Sequence, residues 1–206
     1  GYRQVATAAL NGRTDLRHFG VDFVDPDGEL PDGFTFVKAD LEKEALPFDD
    51  DYFDVVVASH VIEHLRDPIG LIRECVRVCR PGGIIYLEAP SERSVWMPSM
   101  PFKWNRFYSL SFFDDPTHIS RPWTPQAFYR LAKLLGCDPV DTRHLVSWPH
   151  RLLAPILIPL ALIRRDARNL EYWTWLTIGW SCCIVMRKSA DLHGSAKLAY
   201  FVPEGR

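Results

Sequence analysis

Residues 53–59 read FDVVVAS, and this run constrains the fold more than any other part of the chain. Three consecutive valines beside Phe53 and Ala58 place apolar side chains on both sides of an extended backbone. A strand that is apolar on both faces must be covered on both faces, which is the situation of a parallel sheet flanked by helices. The next segment agrees. DPIGLIRECVRVC, 67–79, carries apolar residues at 69, 71, 72, 75, 76, 78 and 79, the pattern of an amphipathic helix. RPGG then stops it, since proline cannot continue a helix and glycine accepts a left-handed turn. IIYLEAP, 84–90, follows as a strand that ends at Pro90.

The same alternation extends in both directions. Residues 2–10 read as helix, HFGVDFV (18–24) and FTFVKAD (34–40) as strands, and TPQAFYRLAKLLGC (124–137) as a helix with Thr124 as N-cap and Pro125 in its first turn. DPVDTRHLVSW and GWSCCIVMRKS read as the last two strands. Strands alternating with helices over short connections predict an α/β fold: one domain over 1–206 with a mostly parallel sheet, helices on both faces and an antiparallel C-terminal edge strand. Residues 91–123 and 145–180 read as irregular, aromatic and proline-rich insertions that make the substrate side, with Trp96, Trp104, Trp123, Trp148, Trp173 and Trp175 among them.

Composition excludes several classes. A net charge of −2 offers no basic footprint for nucleic acid. The five cysteines form no C-x-x-C pair and read as buried free thiols of a reducing compartment. LLAPILIPLALI, 152–163, is too short to span a bilayer. Arginines flank this run, so a membrane surface or a dimer contact are its two expected uses. The expected location is cytoplasmic, with peripheral membrane attachment as an option.

Ligands in open α/β sheets bind beyond the carboxyl ends of the strands, so the strand ends carry the functional reading. Asp22 and Asp40 close two successive strands. A carboxylate at the first position can accept from both hydroxyls of a ribose, and one at the next can accept from an adenine amine. Together they describe an adenosine pocket. Asp25 and Asp27, beside Pro26 and Gly28, read as turn formers. The strand at 53–59 runs into SHVIEHL, in which His60, Glu63 and His64 spell H-x-x-E-H, a zinc-peptidase signature when both histidines share one helix. Here His60 follows a buried strand directly, so a shared metal-binding face is not expected and no metal is assigned.

GVDFV, KADLEKEALPFDDDYFDVVVASHVIEHLRDPIGLIRECVRVCRPGG and DDPTHISRPWTPQAFYRLAKLLG together resemble the successive motifs of class I S-adenosylmethionine-dependent methyltransferases of the type 11 kind, over roughly residues 1–140. The resemblance implies a Rossmann-like fold and S-adenosylmethionine as cofactor. It implies that Asp22, with Phe23 beside it, meets the ribose, that Asp40 and the backbone of Leu41 hold the adenine, and that Ser59 and His60 line the cofactor cleft. Ubiquinone-type O-methyltransferases resemble the same stretch with E-x-x-E-H, where this chain has His60 first. His118, in the loop after Asp115-Pro116, is the first candidate for a base, because imidazole titrates near neutrality; His64 is the second.

The family's first strand and its D-x-G-x-G-x-G loop do not occur in this sequence. GYRQVATAAL reads like the last glycine of that loop, Gly1, followed by the first helix, which makes Gly1 a cofactor-binding candidate. The expectation is a domain whose start precedes Gly1; the alternative is a methyltransferase-like binding module without activity. The expected reaction is methyl transfer to a small-molecule, sugar or lipid-linked acceptor, at oxygen. A metal-dependent hydrolase using His60, Glu63 and His64 is the remaining alternative.

Overall fold

A computed structural model of the chain describes residues 15–26, 30, 33–102 and 108–190. The expected helix at 2–10 and the candidate Gly1 lie outside the described residues. The chain divides into two compact units, 1–49 and 50–206.

The first unit contains β1 (His18–Asp22) and β2 (Phe34–Lys38), paired in parallel with Asp22 opposite Lys38. The ladder continues one step past the strands, where Ala39 N–H donates to Asp22 C=O (3.1 Å). Gly20 is required here: a side chain at this position would lie 2.5 Å from the Phe34 ring.

The second unit is built on a four-stranded sheet in the order β3-β4-β6-β5, from β3 (Phe53–Ser59), β4 (Cys79–Pro90), β5 (Cys137–His144) and β6 (Ser181–Lys188). β3 and β4 are parallel, with Ser59 opposite Glu88. β6 is antiparallel to both of its neighbours, so the expected antiparallel pairing lies where the sequence placed it. The last strand in sequence sits between β4 and β5, and β5 holds the outer position. β4 begins at Cys79, earlier than the 84–90 read from sequence, because the chain turns extended at Cys79 and pairs it with Phe53 before reaching the glycines.

Helix α1 (Pro68–Val78) starts where Asp67 accepts a hydrogen bond from Gly70 N–H (2.8 Å) and Pro68 occupies the first turn. It buries Leu71, Ile72, Cys75, Val76 and Val78 and packs on β4. Helix α2 (Pro125–Leu134) is capped by Thr124, which accepts from Ala127 N–H, and it buries Phe128 and Ala132 against β5 and β6. Trp123 stacks flat on Phe128, with ring centroids 4.8 Å apart. All five cysteines are buried and free, as the sequence predicts.

The segment 145–180 is not irregular. It forms α3 (Trp148–Arg164) and α4 (Ala167–Ile178), which pack on each other. Pro155 and Pro159 lie inside α3 and each removes one backbone donor. Packing against α4 compensates: Ala161 joins Leu110 and Leu170 in one buried cluster, with Ile158 against it. Among the described residues of 91–123 there are short 3-10 turns, at Glu92–Trp96 and Phe112–Asp114.

Candidate active site

Asp22 ends β1 half-buried, and one of its oxygens accepts from Val24 N–H (3.1 Å), which turns the chain away from the strand. Asp40 stands two residues past the end of β2. It accepts from Glu42 N–H (3.0 Å) and pairs with the Lys43 ammonium (2.7 Å); these bonds hold its carboxyl below the usual range. The two acids therefore follow adjacent parallel strands, both with acceptor capacity left. Those are the properties a ribose diol and an exocyclic amine require. Leu41 is half-buried, and Phe23 is exposed on the turn after β1.

In the second unit the ends of β3 and β4 meet around His60. This residue has φ 53°, a left-handed conformation uncommon outside glycine, and its N–H donates to Glu88 C=O (3.0 Å). The turn directs the imidazole between two carboxylates. Nδ1–H donates to Glu63 Oε1 (3.0 Å) and Nε2–H to Glu88 Oε1 (3.2 Å). Burial opposes charging the ring, but the two carboxylates outweigh it and raise its pKa to about 9. His60 is thus an imidazolium with both nitrogens spent on protein. Its ring stacks over Trp175 at 5.9 Å, and Trp175 stacks on Trp180 at 3.9 Å. Ser59, expected beside the cofactor, is exposed and donates to the other oxygen of Glu88 (3.3 Å), which also accepts from Tyr86 OH (2.7 Å).

His64 and His118 come together, ring centroids 5.0 Å apart. The bridge is backbone: Ile119 and Ser120 N–H both donate to Glu63 C=O (3.0 Å each). His118 Nδ1–H donates to Phe112 C=O (2.7 Å), and Nε2 lies 3.9 Å from Asp115 Oδ2 without a hydrogen bond. The same tautomer follows for His64. Thr117 Oγ1–H is taken by Asp115 (2.6 Å), so His64 Nδ1–H, 2.9 Å from Thr117 Oγ1, must be the donor of that pair. In both imidazoles Nδ1 is thus the hydrogen-bonding nitrogen. Glu63, fully buried, adds Oε2, which has no hydrogen-bond partner among the described residues. Glu63, His64 and His118 offer three ligand atoms within 4.8 Å of one another. A cation set in this chain would therefore use His118 and not His60, whose nitrogens are committed elsewhere.

A cleft of about 650 Å³ opens along α4, lined by Tyr108, Asp166, Arg168, Asn169, Glu171, Tyr172, Trp175 and Leu176. Burial raises the Glu171 carboxyl, against a hydrogen bond from Ser109 N–H (2.7 Å). Trp175 lies between this cleft and His60. Sequence reasoning placed Glu171 and Trp175 within the substrate-side segment 145–180 and did not single out Glu88 as a site residue. Glu88 had a readable signal, an acid at the carboxyl end of the strand beside Ser59-His60.

Residues 7–87 match the family model described as a methyltransferase domain. Over that stretch the chain is similar to S-adenosylmethionine-dependent methyltransferases. Among the similar proteins, the ubiquinone biosynthesis O-methyltransferase of Cereibacter sphaeroides is 29% identical over 120 residues, 57% of this chain and 47% of that protein. The phthiotriol/phenolphthiotriol dimycocerosates methyltransferase of Mycobacterium tuberculosis is 44% identical over 72 residues, 34% of this chain and 24% of that one. The chain spans about half the length of the ubiquinone O-methyltransferases that it matches. Among solved structures, an S-adenosylmethionine-dependent methyltransferase of Archaeoglobus fulgidus superposes with a TM-score of 0.56 at 22% identity, covering 91% of this chain and 83% of that one. This likeness establishes the Rossmann-like methyltransferase fold.

Proposed function

We propose that the protein transfers a methyl group from S-adenosylmethionine to an oxygen of a small or lipid-linked acceptor. The observation that carries this reading is the pair of carboxyl side chains, Asp22 and Asp40, after adjacent parallel strands in the stretch that matches a methyltransferase domain. Asp22 would accept from the ribose hydroxyls; Asp40, with the Leu41 backbone, would hold the adenine. S-adenosylmethionine, when bound, supplies a methyl carbon made electrophilic by the adjoining sulfonium. Methylation at oxygen is supported by the ubiquinone O-methyltransferase relatives.

A hydroxyl acceptor must lose its proton as the oxygen is methylated. His118 Nε2 is suited to take it, because Phe112 C=O pins the other nitrogen and fixes the tautomer. His64 Nε2, in the same tautomer, is the second base. His60 is excluded from that role by its two carboxylate partners and instead ties β3 to β4. The α4 cleft, with Tyr108, Tyr172 and Trp175, is proposed to receive the acceptor.

Calorimetric titration of S-adenosylmethionine into the full-length protein tests the reading. Micromolar affinity that falls at least tenfold in Asp22→Ala supports it. An unaltered affinity in that variant rejects the assigned pocket, and no binding to the full-length protein leaves the inactive binding module as the better description.

A further inference from the structure

Helix α3 has two apolar halves, and only one of them meets protein. Ala154 and Ala161 face inward and are buried, with Ile158 packed on the cluster formed by Leu110, Ala161 and Leu170. At 3.6 residues per turn, Trp148, Leu152, Leu153, Ile156 and Ile163 fall on the outward half. All five are exposed, Leu152 at 77% and Ile163 at 81%. Prolines 149, 155 and 159 are exposed on that side too. The outward half of a 17-residue helix is thus apolar throughout. Ordinary soluble surfaces scatter such side chains singly.

Three of the four charges at the end of this face are positive. α3 contains no acidic residue; Arg164 ends it, and Arg165 and Arg168 follow, all exposed. The acid nearest in sequence, Asp166, uses its carboxylate to cap α4, accepting from Asn169 N–H and its side-chain amide. At the other end Trp148 is 71% exposed, and an indole is the side chain that favours a membrane–water boundary. No helix among the described residues is long and apolar enough to cross a membrane.

We infer that α3 is a docking helix for an anionic bilayer, lying in the plane of the interface. Its outward half enters the headgroup–acyl boundary, and Arg164, Arg165 and Arg168 meet lipid phosphates. The prolines agree with this depth. Pro155 and Pro159 leave the carbonyls of Arg151 and Pro155 without helical donors, a cost in hydrocarbon that water removes at headgroup level. A protein partner would need acids for the arginine end; an anionic leaflet supplies that charge without a specific partner.

Sedimentation of the full chain with vesicles, without acceptor or cofactor, tests this. The outcome is therefore independent of methyl transfer. Binding is expected to vesicles containing 30% phosphatidylglycerol and to be much weaker on pure phosphatidylcholine. Leu152→Glu with Ile156→Glu should lower it more than tenfold. Arg164→Gln and Arg165→Gln should each lower it about fivefold at low salt and little in 0.5 M NaCl. The arginine substitutions lie on the exposed surface and test the same face if the glutamate pair fails to fold. Binding to neither vesicle overturns the inference, as does binding indifferent to the arginines. A stable dimer in sedimentation velocity that Leu152→Glu with Ile156→Glu dissociates would overturn it in favour of a second copy of the chain.

Discussion

His60 Nδ1 and Glu63 Oε1 stand 3.0 Å apart across one turn of chain, and that contact turns a peptidase-like string into an ion-pair network. The other nitrogen is 3.2 Å from Glu88, so the imidazole bridges two carboxylates as a cation.

The network makes stability depend on pH in a defined direction. The pKa of His60 is raised from 6.5 to about 9, so the folded state binds its proton more tightly than the unfolded state. The resulting stabilisation is complete below about pH 6.5 and is lost as pH rises through about 9. A shift of that size corresponds to at most about 3 kcal/mol, or roughly 6–12 °C in Tm. Thermal melts between pH 6 and 10 should show a fall of this kind that is much reduced in His60→Gln. An equal fall in both proteins would refute the assignment.

The parts of this structure that were legible in the sequence are those set by local pattern. FDVVVAS as a strand, the Asp67-Pro68 and Thr124-Pro125 helix starts and the acids after β1 and β2 each carry their own signal within a few residues, but the expected burial of FDVVVAS on both faces does not hold, since Val55 and Val57 are exposed. What was not legible depends on register or on packing between distant segments. Glu88 joins His60 only because β3 and β4 pair with Ser59 opposite Glu88. His118 reaches His64 through two backbone bonds to Glu63 C=O, 56 and 57 residues along the chain. The helix α3 was obscured by Pro155 and Pro159, whose local cost is offset by packing on α4.

If His118 is the base, its removal should act on the chemical step. His118→Gln should lower kcat by roughly 10²–10⁴-fold with little change in KM for the acceptor. The same substitution should remove the acidic limb of the pH–rate profile. His64→Gln should have a smaller effect, because His118 Nε2 remains. A His118→Gln enzyme with the wild-type pH profile would assign proton removal to another group.

Gly179 ends α4 at φ 75°, and a side chain there would stand 2.8 Å from both His144 Cβ and Val146 Cγ2. Its carbonyl also accepts from Ser91 Oγ (2.8 Å), which fastens the end of β4 to the α4 turn. Gly179→Ala should destabilise the protein by about 1–3 kcal/mol, from backbone strain and the displaced neighbours together. Chemical denaturation should show the lower midpoint, with the transition slope unchanged if the unfolded state is unaffected.

Lys188 is a buried cation at the end of β6, and its ammonium is held on three sides. It donates to Asp51 Oδ1 (2.6 Å), Cys79 C=O (2.8 Å) and Arg77 C=O (3.3 Å), and so fastens the end of β6 to the junction of α1 and β4. Lys188→Met keeps the length of the side chain and removes all three donors. Cys79 C=O then loses this donor, and Arg77 C=O keeps Asp51 N–H alone, at a cost of about 2–4 kcal/mol. Asp51→Asn should cost less, because that carboxylate is half exposed and water can replace it. Urea denaturation of the two variants should rank them in that order. The reverse order would mean that the ion pair, and not the carbonyl bonds, holds this corner of the sheet.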